Sequence, residues 1–237
     1  MVDLWLDEPD ERERYLSDSE ADRLDDALEA LRKDYEPLLQ FLRATGKRKA
    51  ECMTLTWDHV KWDRGVIERE GKGGRTVQVA ITDTIREILW PLRGQHATFV
   101  FTFVAQRTVD KVVRGRRVTF IKGQRYPITS SGFRRVWDGV RKDARLPTAG
   151  PDRFRLHDLR HDFATNLLRE VKAETPAAGL KIVQKALDHA SITTTMRYAH
   201  VQPEDVAAGI EAVAEVRRKR RNKNHRSSHR KRSVRAI

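Results

Sequence analysis

Leu156-His157-Asp158-Leu159-Arg160-His161-Asp162-Phe163-Ala164-Thr165 is the stretch on which the reading of this 237-residue chain turns. Leu159, Phe163 and Leu167 recur at helical spacing, so a helix is predicted from His157 to Val171 with that apolar stripe against a core. His157 and Arg160 stand three positions apart and share the opposing face. That pair is either a functional site or an ordinary solvated face beside acidic neighbours, and the segment alone leaves both readings open. His157 and His161 are also four apart, the spacing of a zinc pair. The His-Glu-x-x-His pattern lacks its glutamate here, because Asp158 follows His157, and Arg160 would set a cation beside the metal. No metal site is expected.

Outward from this helix, the pattern predicts a mainly helical α+β chain with a small antiparallel sheet. Ser17 or Ser19 caps a helix that carries Leu24, Ala27, Leu28 and Leu31 on one face. A second helix runs from about Tyr35 to Ala44 and ends near Gly46. Val66 to Glu70, the turn Gly71-Lys72-Gly73-Gly74, and alternating Val77, Val79 and Ile81 form a β-hairpin signal. A short helix follows from Ile85 to Leu92, and Thr98 to Phe103 is a compact β-prone run. Arg107 to Tyr126 reads as an exposed basic excursion with strands at Lys111 to Val113 and Val118 to Ile121. Thr129 or Ser130 caps a helix with Phe133, Val136, Trp137 and Val140 on its core face. Lys172 to Gly179 reads as a long connection. Helices are then expected at Leu180 to Leu187, Thr193 to Ala199 and Pro203 to about Arg218, the last opened by its proline and two acids.

Charge is unevenly spread. The net charge is +13, yet residues 1–36 hold 14 acidic and 5 basic side chains, and residues 217–237 hold 11 basic and no acidic ones. The middle of the chain is therefore basic as well, the footprint of a polyanion binder. A basic tail alone would be weaker evidence, since such tails are often only solvated. No apolar run approaches the roughly 18 residues needed to span a bilayer, and the acidic start from Met1 to Glu13 has no signal-peptide core. The single Cys52 excludes an internal disulfide framework. A cytoplasmic, nucleoid-associated protein without membrane partners is expected.

His157-x-x-Arg160 with His161 and Ala164-Thr165 resembles the central motif of the tyrosine recombinases, the phage-integrase class. Thr45-Gly46-Lys47-Arg48-Lys49-Ala50-Glu51 is similar to that family's Thr-Gly-x-Arg-x-x-Glu, continued by Leu55-x-Trp57-x-x-Val60. Lys72 stands on the hairpin where the family carries its catalytic lysine. Leu187 to Val201 resembles the closing motif, in which a histidine, here His189, precedes the nucleophile, here Tyr198, by nine residues. Four segments in the right order are more specific than any one motif. The resemblance covers about Tyr15 to Arg217.

The resemblance implies a site-specific recombinase that cuts and rejoins double-stranded DNA through a covalent 3′-phosphotyrosyl intermediate. Arg48 and Arg160 would hold the non-bridging phosphate oxygens with forked, permanently charged donors, and His189 would add a hydrogen bond. Tyr198 would attack. A phenol with a pKa of about 10 needs a base, for which His157 is the nearest candidate. Lys72 would protonate the departing 5′ oxygen. Glu51 would orient Arg48 or a neighbouring histidine, with His161 in support. Neither metal nor organic cofactor is implied. The partners implied are duplex DNA and further copies of the chain, a tetramer on DNA joined through the helix from Pro203 to Arg218.

The pattern also departs from the family. Lys47 stands where leucine is usual, and Asp188 where glycine is usual before the last histidine. The resemblance leads to the expectation that the family's N-terminal core-binding domain is absent: residues 1–17 read as a linker or arm, 18–216 as the catalytic domain and 217–237 as a basic, disordered tail. An alternative is a truncated remnant or a type IB topoisomerase-like enzyme that nicks or relaxes DNA without recombining it. A rival of another class is a nucleic-acid-binding protein that works through Arg217 to Arg221.

Overall fold

The computed structural model describes residues 14–31, 33–70, 76–113, 115–171, 175–189, 191–196 and 198. The turn carrying Lys72, the helix expected from Pro203 to Arg218 and the basic tail lie outside them.

Local chemistry accounts for the element boundaries. Ser17 and Glu20 form a reciprocal capping box that starts α1 (Asp18–Glu29), whose Leu24 and Leu28 are fully buried. The chain just before it is anchored: Leu16 is buried, and its N–H donates to Asp162 Oδ1 at 3.1 Å. α2 (Glu36–Thr45) stops where Gly46 turns left-handed at φ 58° and donates its N–H to the Leu42 carbonyl. The five-residue α3 (Lys49–Met53) follows, with the extended Arg48 as its N-cap.

The strand content is split into three pieces rather than one sheet. β1 (Val60–Lys61), β2 (Val66–Glu70) and β3 (Thr76–Ala80) form an antiparallel sheet in that order, and β2 pairs with β3 from Val66↔Ala80 to Glu70↔Thr76, the hairpin expected from the alternation. β4 (Thr102–Val104) pairs with β7 (Arg125–Pro127), and β5 (Val109–Val113) with β6 (Arg116–Phe120). The run from Thr98 to Phe103 is strand only at its end. Phe99 makes an isolated bridge to Thr56, while Val100 and Phe101 fill the core, so the apolar run reflects burial more than pairing.

α4 (Asp83–Leu89), capped by Thr82, runs into a turn of 3₁₀ helix at Trp90–Leu92. α5 (Ser130–Asp143) is capped by Thr129, and buries Phe133, Trp137 and Val140 as the spacing predicts, with Val136 partly buried. α6 (Asp158–Glu170), α7 (Pro176–Leu187) and α8 (Thr193–Met196) complete the described helices. Pro176 to Gly179 is not a loop, contrary to expectation. Thr175 caps α7 through the Ala178 N–H, and Pro176 occupies the first turn, where a missing N–H costs nothing.

α6 packs on both α2 and α7. Its apolar residues therefore do not share one destination. Leu159 belongs to the main core, whereas Phe163 and Leu167 pack against a second cluster of Ala164, Val183, Leu187 and Tyr198. The opposing face is not a solvated one either, because Arg160 is only 4% exposed.

Candidate active site

Arg160 bolts together three segments that are distant in sequence. Its two terminal nitrogens donate to the Gly46 carbonyl at 2.7 Å and the Leu187 carbonyl at 2.6 Å. Among the described residues these bonds engage two of the five guanidinium N–H groups. Burial lowers the pKa of Arg160, and the nearby charge of Arg48 lowers it further, while Glu51, Tyr198 and Asp188 oppose the shift. The guanidinium remains charged through the ordinary pH range.

Gly46 makes this junction possible. At its left-handed φ a side chain is strained, and a Cβ would collide with the Phe163 ring and stand 2.9 Å from Leu187 Cδ2. Arg48, two residues on, is the N-cap of α3 in extended conformation. Glu51 accepts its backbone N–H at 3.2 Å and its guanidinium at 3.1 Å. The acid thus holds Arg48 from both ends, although the Arg48 side chain is half exposed.

A cavity of about 210 Å³ opens beside Arg160, lined by His157, Lys47 and Lys49 over a floor of Leu42, Leu156 and Leu159. His157 and Arg160 meet there as the sequence predicts. Arg48 is not among the residues that line it. Lys49 and Leu156 also line an adjoining cavity of about 360 Å³, with Arg134, Arg141, Arg153 and Arg155 around it. The two cavities share Lys49 and Leu156, and Asp138, which accepts from Arg141, is the one carboxylate among the residues lining them.

Tyr198 packs against α6 through His161 and is not among the residues that line this cavity. It is 6% exposed, and its phenolic oxygen is 2.9 Å from His161 Nδ1. His161 in turn stands edge-on to His157, with ring centroids 5.1 Å apart. His189 is stacked nearly parallel to the Tyr198 ring at 6.5 Å, and its Nδ1 is 2.9 Å from the hydroxyl of buried Thr195. The aromatic sequence Tyr198, His161, His157 therefore connects the phenol with the Arg160 cavity. Asp188, where α7 ends, adopts the left-handed conformation (φ 56°, ψ 46°) that a glycine would take more cheaply.

Sequence reasoning treated Lys47 only as a departure from a family pattern and gave no part to Lys49. A charged residue at a position where leucine is usual was the signal available. Among the described residues, no group of three or more His, Cys, Asp or Glu side chains is placed to hold a metal. Nor is any described helix long and apolar enough to cross a membrane.

The sequence profile described as the phage integrase family matches residues 14–205. The chain belongs to that family. It is 29% identical over 195 residues to the integrase of Salmonella phage P22, covering 81% of this chain and 45% of the relative. The tyrosine recombinase XerD of Vibrio vulnificus is 30% identical over 168 residues, 70% of this chain and 48% of XerD. XerC of Lacticaseibacillus casei is 32% identical over 168 residues, 69% and 49% of the two chains. The chain thus spans about half the length of the curated relatives it matches. Among solved structures, the Tn1549 transposon integrase in complex with transposon right end DNA has a TM-score of 0.60 at 18% identity over 88% of this chain and 68% of that one. XerA recombinase has 0.55 at 24% over 86% and 65%, and a lambda integrase dimer bound to a core site has 0.58 at 18% over 80% and 48%. The shared fold is that of tyrosine recombinase catalytic domains, mainly helical with small antiparallel sheets.

Proposed function

We propose that this chain breaks and rejoins double-stranded DNA in site-specific recombination, with Tyr198 as the nucleophile. The observation that carries the proposal is the bonding of the Tyr198 phenol to His161, one ring away from the cavity of His157 and Arg160. Phage P22 integrase and the XerC and XerD recombinases, to which the chain is similar, support the same reaction class.

Attack of the Tyr198 oxygen on phosphorus builds negative charge on the non-bridging oxygens. The remaining N–H groups of Arg160, together with Arg48 steadied by Glu51, stabilise that charge, and His189 donates a further hydrogen bond. His161 holds the phenol at rest, and His157 takes its proton as the bond to phosphorus forms. The 5′ oxygen leaves with a proton from Lys72. A 3′-phosphotyrosyl ester remains. A 5′ hydroxyl of a second strand then gives its proton back to Lys72 and attacks that ester, the phenolate leaves and regains its proton from His157, and the DNA is sealed without a nucleotide or metal cofactor. Lys49, Arg134, Arg153 and Arg155 suit flanking backbone phosphates, contacts that fix register without reading bases. The partners proposed are duplex DNA and further copies of the chain, assembled on DNA as a tetramer through the segment from Pro203 to Arg218, in the nucleoid of the cytoplasm.

A pool of nicked duplexes with randomised sequence around the nick tests the reaction. The wild-type chain should form a denaturant-resistant adduct with part of the pool, and Tyr198→Phe should form none. An adduct that persists in the variant removes Tyr198 from its role. Two marked duplexes made from the recovered sequence should exchange strands; relaxation of a supercoiled circle without exchange would instead make the chain a topoisomerase-like enzyme.

A further inference from the structure

Lys47 is a buried cation with no direct polar partner among the described residues. The residue is 7% exposed, and its Nζ has no hydrogen-bond partner among the described residues. Leaving an ammonium desolvated and unbonded is among the costlier things a folded chain can do, so such groups are normally paired or replaced by apolar ones. The position would suit an apolar residue well, given Leu42 and Leu159 on the same cavity wall. Arg160, by contrast, has two carbonyl partners, and Arg48 has Glu51.

The surroundings point to an anion as the missing partner. Lys47 lines the 210 Å³ cavity with Lys49, His157 and Arg160, and no carboxylate is among the lining residues. It also follows Gly46 directly, the residue whose carbonyl holds Arg160. One peptide unit therefore ties the position of Lys47 to that of the guanidinium. Burial lowers the pKa of Lys47, and Asp188 and Glu51 offset part of that effect, so its charged form is disfavoured until an anion meets it.

We propose that Lys47 is a further phosphate ligand, its ammonium contacting a non-bridging oxygen of the phosphodiester that Arg160 holds. The inference rests on the reaction proposed above and adds to it a residue the family pattern does not require. Lys47 stays protonated throughout and transfers nothing; its contribution is charge on the phosphate as the attack proceeds.

The full chain and Lys47→Met, close in volume and without charge, are compared in two arms. In the first, inorganic phosphate is titrated while thermal unfolding is followed. Phosphate should raise the wild-type transition and leave that of the variant nearly unmoved, while the variant without phosphate should melt higher than wild type. In the second, adduct formation is timed on the recovered nicked duplex and on the same duplex with a methylphosphonate at the scissile position, which carries one negative charge fewer. Lys47→Met should be at least tenfold slower on the phosphodiester, and the deficit should shrink severalfold on the methylphosphonate. A variant that cleaves and binds phosphate as wild type does overturns the inference. So does one that melts lower and is equally slow on both substrates, the result expected of a merely structural lysine. Failure of the reaction proposal is separate: there wild type forms no adduct or Tyr198→Phe still does, and the phosphate arm alone decides whether Lys47 binds an anion.

Discussion

His161 Nδ1 stands 2.9 Å from the phenolic oxygen of Tyr198, and the same imidazole meets His157 edge to face. The nucleophile is thus docked against α6 one turn away from the residue proposed as its base. With Nδ1 unprotonated, the phenol donates to it, which orients the oxygen at rest. His161→Leu keeps the volume and removes the acceptor. It should slow adduct formation about tenfold with unchanged DNA affinity, whereas His157→Ala should cost on the order of 10²–10⁴-fold as loss of a general base does. Single-turnover trapping on a nicked duplex measures both, and equal losses would show that the two imidazoles have been given the wrong roles.

Gly46 is where stability and chemistry meet. Gly46→Ala combines a strained left-handed backbone with a collision against Phe163 and Leu187. A loss of about 2–4 kcal/mol is expected from strain and overpacking together, read from the urea midpoint at constant slope. The Gly46 carbonyl would move away from Arg160, so cleavage should fall even at temperatures where the variant is fully folded.

Most of this junction was legible in the sequence. Gly46 ends a helix by composition, the capping residues Ser17 and Thr129 announce their helices, and the alternation of Val77, Val79 and Ile81 betrays the hairpin. What could not be read depends on contacts across long separations. The burial of Arg160 and Lys47 follows from α6 packing on α2 and α7, which no local spacing reveals. α3 is too short for periodicity to register. The run from Thr98 to Phe103 misled because an apolar stretch looks alike whether it pairs or merely fills a core. The sequence pointed to His157 as the imidazole nearest the phenol, whereas the phenol bonds to His161; the two histidines lie one turn apart, and local spacing does not select between them.

Asp188 offers a test of how the closing segment is held. Its left-handed conformation is cheaper for glycine, yet its carboxylate also offsets the charges of Lys47 and Arg160. Asp188→Asn removes the charge and keeps a side chain that tolerates the conformation, whereas Asp188→Gly removes both charge and strain. The glycine variant should therefore be more stable than the asparagine variant by about 0.5–1 kcal/mol. Equal stabilities by urea denaturation would mean that the backbone there is unstrained. Asparagine alone should fall below wild type, since two buried cations lose a neighbouring anion.

Lys47 gives a prediction with a definite sign in pH. Desolvation depresses its pKa in the folded chain; Arg160 depresses it further, while Asp188, Glu51 and Cys52 work in the opposite direction. Below the folded pKa both states carry the charge, and the folded state bears the whole burial penalty. As pH rises past that value the folded lysine becomes neutral first, and the penalty fades until the unfolded lysine also titrates in its ordinary range. Lys47→Met should consequently be more stable than wild type at neutral pH, by on the order of 1 kcal/mol. The gap should narrow as pH climbs toward the ordinary lysine range. Paired urea melts at a series of pH values cancel the titrations common to both proteins. A gap that widens with pH, or that is absent at neutrality, would place the ammonium in water rather than in the cavity.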